Sequence, residues 1–219
     1  HTGIHSFPTR RSSDLLPVEC VSYEDAVAFC QKLTERERRA YRLPTGYVYR
    51  LPTCVEWEYC CRAGRDEPAP ANLAEDAWFK GNANRRTHPM GMRKANPWGI
   101  HDMLGNVIEW CGDRLNPRMA AYQGGSYEVE ADRCAAGYLW GGSLGFKTPA
   151  LGFRGQFSKH EVRERAVRHD PDRTTGSLRR HQAFRTPSDG ISWVRGQSPQ
   201  EWSLQANEPQ SCGHPHAAS

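Results

Sequence analysis

Residues 21–64 read VSYEDAVAFC QKLTERERRA YRLPTGYVYR LPTCVEWEYC CRAG, and this stretch decides the fold class. Its first half begins with a capping box, in which Ser22 and Asp25 each accept a hydrogen bond from a backbone N–H group at a helix start. Apolar residues then recur at the spacing of one helix face. They are Ala26, Phe29, Cys30 and Leu33. The pattern predicts an amphipathic helix over residues 22–39.

The second half of this stretch predicts a short strand followed by another helix. Residues 47–50 are mostly aromatic or β-branched, which favours a strand. Thr53 and Glu56 form a second capping box, and Gly64 suits the position just past a helix end, so a helix is predicted over 53–63. Its apolar side is predicted to comprise Val55, Trp57, Tyr59, Cys60 and Cys61. Short segments broken by Gly, Pro and Asn follow, so the fold class is α+β, with two helices.

Composition divides the chain of 219 residues into three parts. Residues 1–15 resemble the translation of a sequencing adapter and are predicted to be an artefactual or disordered leader. Residues 16–154 are long enough for one compact core. In residues 155–219 only 8 of 65 are Leu, Ile, Val or Phe, which is below the roughly 20% under which disorder is expected and predicts a disordered or out-of-frame tail.

Charge and hydropathy exclude two classes of partner. The central part carries 18 basic and 17 acidic residues, and no basic stripe is interleaved with aromatic residues, so a nucleic-acid partner is not expected. No run of about 18 consecutive apolar residues is present, so a membrane span is not expected either.

Several blocks in the central part together resemble the formylglycine-generating enzyme family, also called sulfatase-modifying factors. Their order and spacing match the family across residues 16–154. The blocks are Val21–Cys30, Tyr49–Thr53 with Glu56–Tyr59, Asn96–Cys111, Gly124–Tyr127 and Leu151–Arg154. The resemblance implies a variant C-type lectin-like fold, with little regular structure, a small twisted antiparallel sheet and long loops.

The family oxidises a cysteine in the Cys-x-Pro-x-Arg motif of a sulfatase to Cα-formylglycine, using oxygen and copper(I) held by two active-site cysteines. Val129 occupies the position of the first of these cysteines, and the stretch that would carry the second is shortened. Cys134 matches a structural cysteine of the family instead. Ile108 and Ala150 replace a Trp and an Asn of the family pattern. No catalytic residue is therefore assigned here, and copper binding is not expected on this resemblance.

Other family positions carry over. The resemblance implies that Ser126 and Tyr127 lie in the substrate groove, and that Cys61 can pair with Cys134 in a disulfide if the compartment is oxidising. Cys30 matches a second disulfide position, whose partner position holds Gly155.

A structural calcium site is the cofactor that the resemblance favours. Asp102, Gly105, Val107 and Glu109 match one family calcium site residue by residue. Two carboxylates and two backbone carbonyls suit a hard, oxygen-preferring cation. The alternative is that Asp102 and Glu109 hydrogen-bond backbone N–H groups without a metal.

These observations favour a sulfatase-modifying factor-like domain that does not oxidise cysteine and acts as a binding or regulatory module for a protein or peptide. Three alternatives stay open at this stage. They are an active formylglycine-generating oxidase, a fragment of an iron-dependent sulfur-transferring oxygenase that has this fold, and a lectin-fold ligand binder with a variable surface.

Overall fold

The computed structural model describes residues 15–67 and 69–159, and the backbone of 192–194. It contains three helices and two small sheets joined by long irregular segments. In chain order the elements are α1 (Tyr23–Arg39), β1 (Tyr47–Arg50), α2 (Cys54–Arg62), α3 (Leu73–Asp76), β2 (Ile108–Asn116), β3 (Met119–Gln123), β4 (Leu139–Ser143), β5 (Leu151–Phe153), β6 (Gly155–Lys159) and β7 (Ser192–Val194). The α+β class is confirmed.

Both long helices begin at their predicted caps. The Ser22 hydroxyl accepts the Asp25 N–H at 3.1 Å and the Asp25 carboxylate accepts the Ser22 N–H at 3.0 Å. Thr53 and Glu56 make the same reciprocal pair at the start of α2. One predicted core position of α2 is wrong, because Val55 is 62% exposed. The buried face of α2 is Trp57, Cys60 and Cys61, and Val55 lies outside that helical stripe.

The larger sheet has the strand order β4-β3-β2-β5. Strands β2, β3 and β4 pair in antiparallel fashion, but β2 and β5 are parallel, with Ile108 opposite Leu151. The expectation of an antiparallel sheet is therefore wrong for this pair. A parallel pair needs a long connection between its strands, and here β3, β4 and their loops supply that connection.

The second sheet has the order β1-β6-β7 and is antiparallel. Strand β6 extends regular structure beyond the predicted boundary at residue 154, because it pairs along the whole of β1. The low apolar content that predicts disorder is an average over 65 residues, and such an average does not reveal one short strand at its start. The rest of the predicted tail, apart from the backbone of β7, and residues 1–14 of the leader lie outside the described residues.

Two main apolar clusters lie on either side of β2. Trp110 joins Leu151 and Phe153 under α1, and its indole N–H donates to the Val21 carbonyl at 2.9 Å. Trp57 of α2 packs with Cys111 in the other cluster. Neighbouring residues of β2 thus face opposite clusters. Among the described residues, no helix is long and apolar enough to cross a membrane.

Candidate functional site

A buried ion pair joins three segments at the centre of the fold. Glu109 lies on β2, Arg154 follows β5, and Trp57 lies on α2. The Arg154 guanidinium donates to Glu109 Oε1 at 2.8 Å and to Oε2 at 2.9 Å, while the Trp57 indole N–H donates to Oε2 at 2.7 Å. Burial alone would lower the pKa of Arg154, but the Glu109 carboxylate outweighs it and raises the pKa, so the arginine stays charged.

Arg154 also fixes the loop that precedes β2. Its Nη2 atom donates to the carbonyl oxygens of His101 and Asp102 at 3.1 and 3.0 Å. Asp102 has a left-handed backbone with φ of 55°, and its carboxylate accepts the Gly91 N–H at 2.6 Å. The loop is therefore held by Arg154 through two backbone carbonyls and by the Asp102 side chain through the Gly91 N–H group.

All four predicted calcium ligands border one small cavity. Asp102, Gly105, Val107 and Glu109 line it together with Arg154, and its volume is about 30 Å³. That space is on the scale of one or two water molecules or an ion. Both Glu109 oxygens already accept hydrogen bonds from Arg154 or Trp57, so a cation here would have to share this carboxylate with a charged guanidinium, and calcium binding stays a prediction. In the described part of the chain, no three His, Cys, Asp or Glu side chains converge as a metal cluster.

The two predicted groove residues lie in the interior. Ser126 has no exposed surface and Tyr127 is 6% exposed. The Ser126 hydroxyl accepts the Glu128 N–H at 3.2 Å, and Tyr127 packs against Ala150, one of the residues that depart from the family pattern. A ligand that contacts either side chain would have to enter this packed region, so their role in substrate binding stays a prediction.

Val129 lies in a tight turn just after these residues. Its N–H donates to the Ser126 carbonyl at 3.1 Å, and its carbonyl accepts the Lys80 N–H at 3.0 Å. The side chain at this position is therefore held in a defined place by backbone hydrogen bonds on both sides. An apolar isopropyl group there supplies no metal ligand and no nucleophile.

The two cysteines of the predicted disulfide are free thiols in this structure. Burial raises the pKa of Cys61 to about 12 and that of Cys134 to about 12. Cys134 packs so closely on Gly125 that a Cβ atom at the glycine would lie 2.5 Å from the thiol sulfur. The disulfide stays a prediction.

Sequence reasoning did not identify the centre of this site. Arg154 is predicted only as the end of a matching block, and Trp57 only as part of another block and of the apolar side of α2. A signal was present, because an arginine that ends the apolar run Leu151–Phe153 needs a carboxylate when it is buried. The sequence does not say which carboxylate supplies the partner.

Comparisons with known proteins show the family of this chain. A family model described as the sulfatase-modifying factor enzyme 1-like domain matches residues 3–157. The protein named Formylglycine-generating enzyme of Mycobacterium tuberculosis is 33% identical over 131 residues, which cover 50% of this chain and 39% of that protein. The protein named Inactive C-alpha-formylglycine-generating enzyme 2 of Mus musculus is 32% identical over 138 residues, which cover 55% of this chain and 40% of that protein.

Solved structures share the fold. Treponema denticola variable protein 1 superposes with a TM-score of 0.59 at 26% sequence identity, covering 67% of this chain and 72% of that one. CarF superposes with a TM-score of 0.57 at 23% identity, covering 71% of this chain and 72% of that one. The chain spans 39% and 40% of the lengths of the two relatives described above.

Proposed function

The chain belongs to the sulfatase-modifying factor enzyme 1-like family, and on that premise we propose that it is a member without cysteine oxidase activity that binds a protein or peptide. The observation that carries this proposal is Val129. The resemblance implies that it occupies the position of the family's first catalytic cysteine, and it lies in a turn whose backbone is fixed by hydrogen bonds with Ser126 and Lys80.

The chemistry of the loop supports the same conclusion. Copper(I) prefers thiolate ligands, and a thiolate is the reactive form of cysteine. Between Gly124 and Cys134 the only thiol is that of Cys134, which is fully buried and whose pKa burial raises to about 12. A single protonated thiol offers copper(I) no pair of ligands.

The surface around this loop favours a basic ligand. Glu128 and Asp132 are exposed immediately after the buried Ser126 and Tyr127, and the exposed Glu130 forms an ion pair with Lys80. Carboxylates at such a place attract the arginine of a Cys-x-Pro-x-Arg peptide, and the attraction weakens as salt rises. Relatives named as formylglycine-generating enzymes give the reason to choose that peptide first.

Binding is tested by fluorescence polarisation with a labelled Cys-x-Pro-x-Arg peptide. Saturable binding is expected, and it should weaken when glutamine replaces the arginine of the peptide. The double variant Glu128→Gln/Asp132→Asn should weaken binding in the same direction. Its matched control is Glu75→Gln on α3, which removes an exposed carboxylate outside the loop. Equal binding by the arginine and glutamine peptides would contradict the proposed recognition.

We also propose that calcium occupies the small cavity beside Asp102. Support comes from the two carboxylates on the cavity wall and from its ion-sized volume of about 30 Å³. Calcium at about 100 times its dissociation constant adds about 2.7 kcal/mol to the free energy of unfolding. For a domain of this size that corresponds to a rise in melting temperature of about 5–10 °C.

The calcium experiment compares Asp102→Asn with Glu130→Gln by thermal unfolding. Asparagine tolerates the left-handed backbone at residue 102, so the first variant removes a charge with little strain. Glu130 is exposed and lies outside the cavity wall. Calcium should stabilise the wild type and Glu130→Gln but not Asp102→Asn. Absence of any calcium effect on the wild type would leave Asp102 and Glu109 as hydrogen-bonding groups only.

A further inference from the structure

Two cysteines to which the family resemblance assigns no role meet where α2 begins beside β2. The Asp113 carboxylate accepts the Cys54 N–H at 2.5 Å, and the Pro52 carbonyl accepts the Gly112 N–H at 2.7 Å. These bonds hold the first residue of α2 against the middle of β2. Cys54 accordingly packs against the apolar cluster that contains Cys111.

The same bonds bring the two side chains close together. Cys54 is the neighbour that acts most strongly on the Cys111 thiol and raises its pKa, while the Cys111 S–H group donates to the Gln123 amide oxygen at 3.4 Å. Cys111 has no exposed surface, whereas Cys54 is half-buried. Cys54 is therefore the member of the pair that a small reagent reaches first.

From this arrangement we infer that Cys54 and Cys111 form a redox-active dithiol that closes to an intramolecular disulfide when it meets a peroxide. The inference does not depend on the proposed function. It also differs from the pairing of Cys61 with Cys134, which the family resemblance implies, because it uses neither of those cysteines.

The reaction needs one equivalent of hydrogen peroxide. The Cys54 thiolate attacks one peroxide oxygen, the O–O bond breaks, and Cys54 becomes a sulfenic acid while hydroxide leaves and takes up a proton as water. The Cys111 sulfur then attacks the Cys54 sulfur, the S–O bond breaks, and a second water leaves with the Cys111 proton. Two thiols lose two electrons in total, and the peroxide gains them.

The resting thiols are protected from uncontrolled oxidation. The neighbouring Cys54 side chain and burial raise the pKa of Cys111, so Cys111 is a poor first nucleophile. Cys54 meets the oxidant first because of its exposure, and Cys111 reacts only after the Cys54 sulfur has become electrophilic. Once formed, the bond ties the start of α2 to β2.

Peptide mapping identifies the bond without ambiguity. Reduced full-length protein is treated with hydrogen peroxide, its remaining thiols are alkylated, and it is digested with trypsin and a glutamate-specific protease. Cleavage at Arg50, Glu56 and Glu58 separates Cys54 from Cys60 and Cys61. The expected product is the peptide 51–56 linked to the peptide 110–114, lighter by two hydrogens than the sum of the two reduced peptides. Dithiothreitol should reverse the link.

Two variants and one control complete the test. In Cys111→Ser the Cys54 sulfenic acid should persist and be trapped by dimedone, and in Cys54→Ser neither the link nor the adduct should form. Cys20→Ser, which changes another half-buried cysteine, should form the link as the wild type does. Oxidation should also raise the melting temperature of the wild type by about 5–10 °C, because the bond closes a long loop.

Two outcomes would overturn the inference. The first is peroxide consumption by folded wild-type protein with Cys54 and Cys111 both recovered as alkylated thiols. The second is linkage of either residue to a different cysteine in preference to the other member of the pair.

Discussion

Arg154→Met is the substitution that tests the centre of the fold most sharply. Methionine keeps much of the side-chain length but removes the guanidinium, which makes two short contacts with Glu109 and one each with the His101 and Asp102 carbonyls. The side chains of the ion pair are only 9% and 7% exposed. Removing one partner leaves the other charge buried and uncompensated, which costs about 3–5 kcal/mol of the free energy of unfolding.

The measurement is urea unfolding at neutral pH, followed by tryptophan fluorescence. The matched control is Lys80→Met, which breaks the ion pair with Glu130 on the surface, where the side chains are 57% and 61% exposed. An exposed pair contributes about 0–1 kcal/mol, so the control should remain close to the wild type. The double variant Arg154→Met/Glu109→Gln should recover part of the loss, because no charge is then left buried.

Two results would refute this reasoning. If Arg154→Met and Lys80→Met lowered the free energy of unfolding equally, the buried pair would contribute no more than a surface pair. If the double variant with Glu109→Gln lost the sum of the two single effects, the two side chains would not be coupled.

Two further predictions concern the loops and caps. Burial would raise the pKa of Glu56, but hydrogen bonds from Arg50 and Thr53 outweigh it and lower the pKa. Glu56→Gln should therefore lower the free energy of unfolding by about 1–2 kcal/mol at pH 7. A carboxylate with a lowered pKa stabilises the fold above its ordinary pKa, and this stabilisation is lost as pH falls through the lowered value. The difference in free energy of unfolding between wild type and Glu56→Gln should therefore shrink in acid. A difference that stays constant across pH in urea unfolding would contradict this prediction. Gly105→Ala should lower the melting temperature strongly, because its φ is +73° and a Cβ would lie 2.2 Å from the Trp78 carbonyl oxygen; near-wild-type melting would contradict that contact.

Local signals in the sequence were sufficient for the helices. Ser22 and Thr53 each bond a residue three positions further along the chain, so the local sequence pattern alone predicts the capping hydrogen bonds. The prediction for Val55 is wrong because the sequence of α2 does not show which of its apolar residues face the core. The exposed Val55 shows that an apolar residue in a helix is not by itself a core residue.

Contacts distant in sequence could not be predicted in the same way. The parallel pairing of Ile108 with Leu151 depends on how the intervening loops return. The bond from Arg154 to Glu109 spans 45 positions, and composition does not encode such a pairing. The contact between Cys54 and Cys111 has the same origin, because neither residue stands in a recognisable cysteine motif.

The central claim is that this member of the family does not oxidise cysteine, and one turnover measurement tests it directly. The full chain is incubated with a Cys-x-Pro-x-Arg peptide, copper(I), a thiol reductant and oxygen, and the peptide is followed by mass spectrometry beside an active formylglycine-generating enzyme as positive control. Because the resemblance implies that Val129 stands where the family has its first catalytic cysteine, the peptide cysteine should remain unchanged, as in the sample without protein. Conversion to formylglycine above that background would contradict the account.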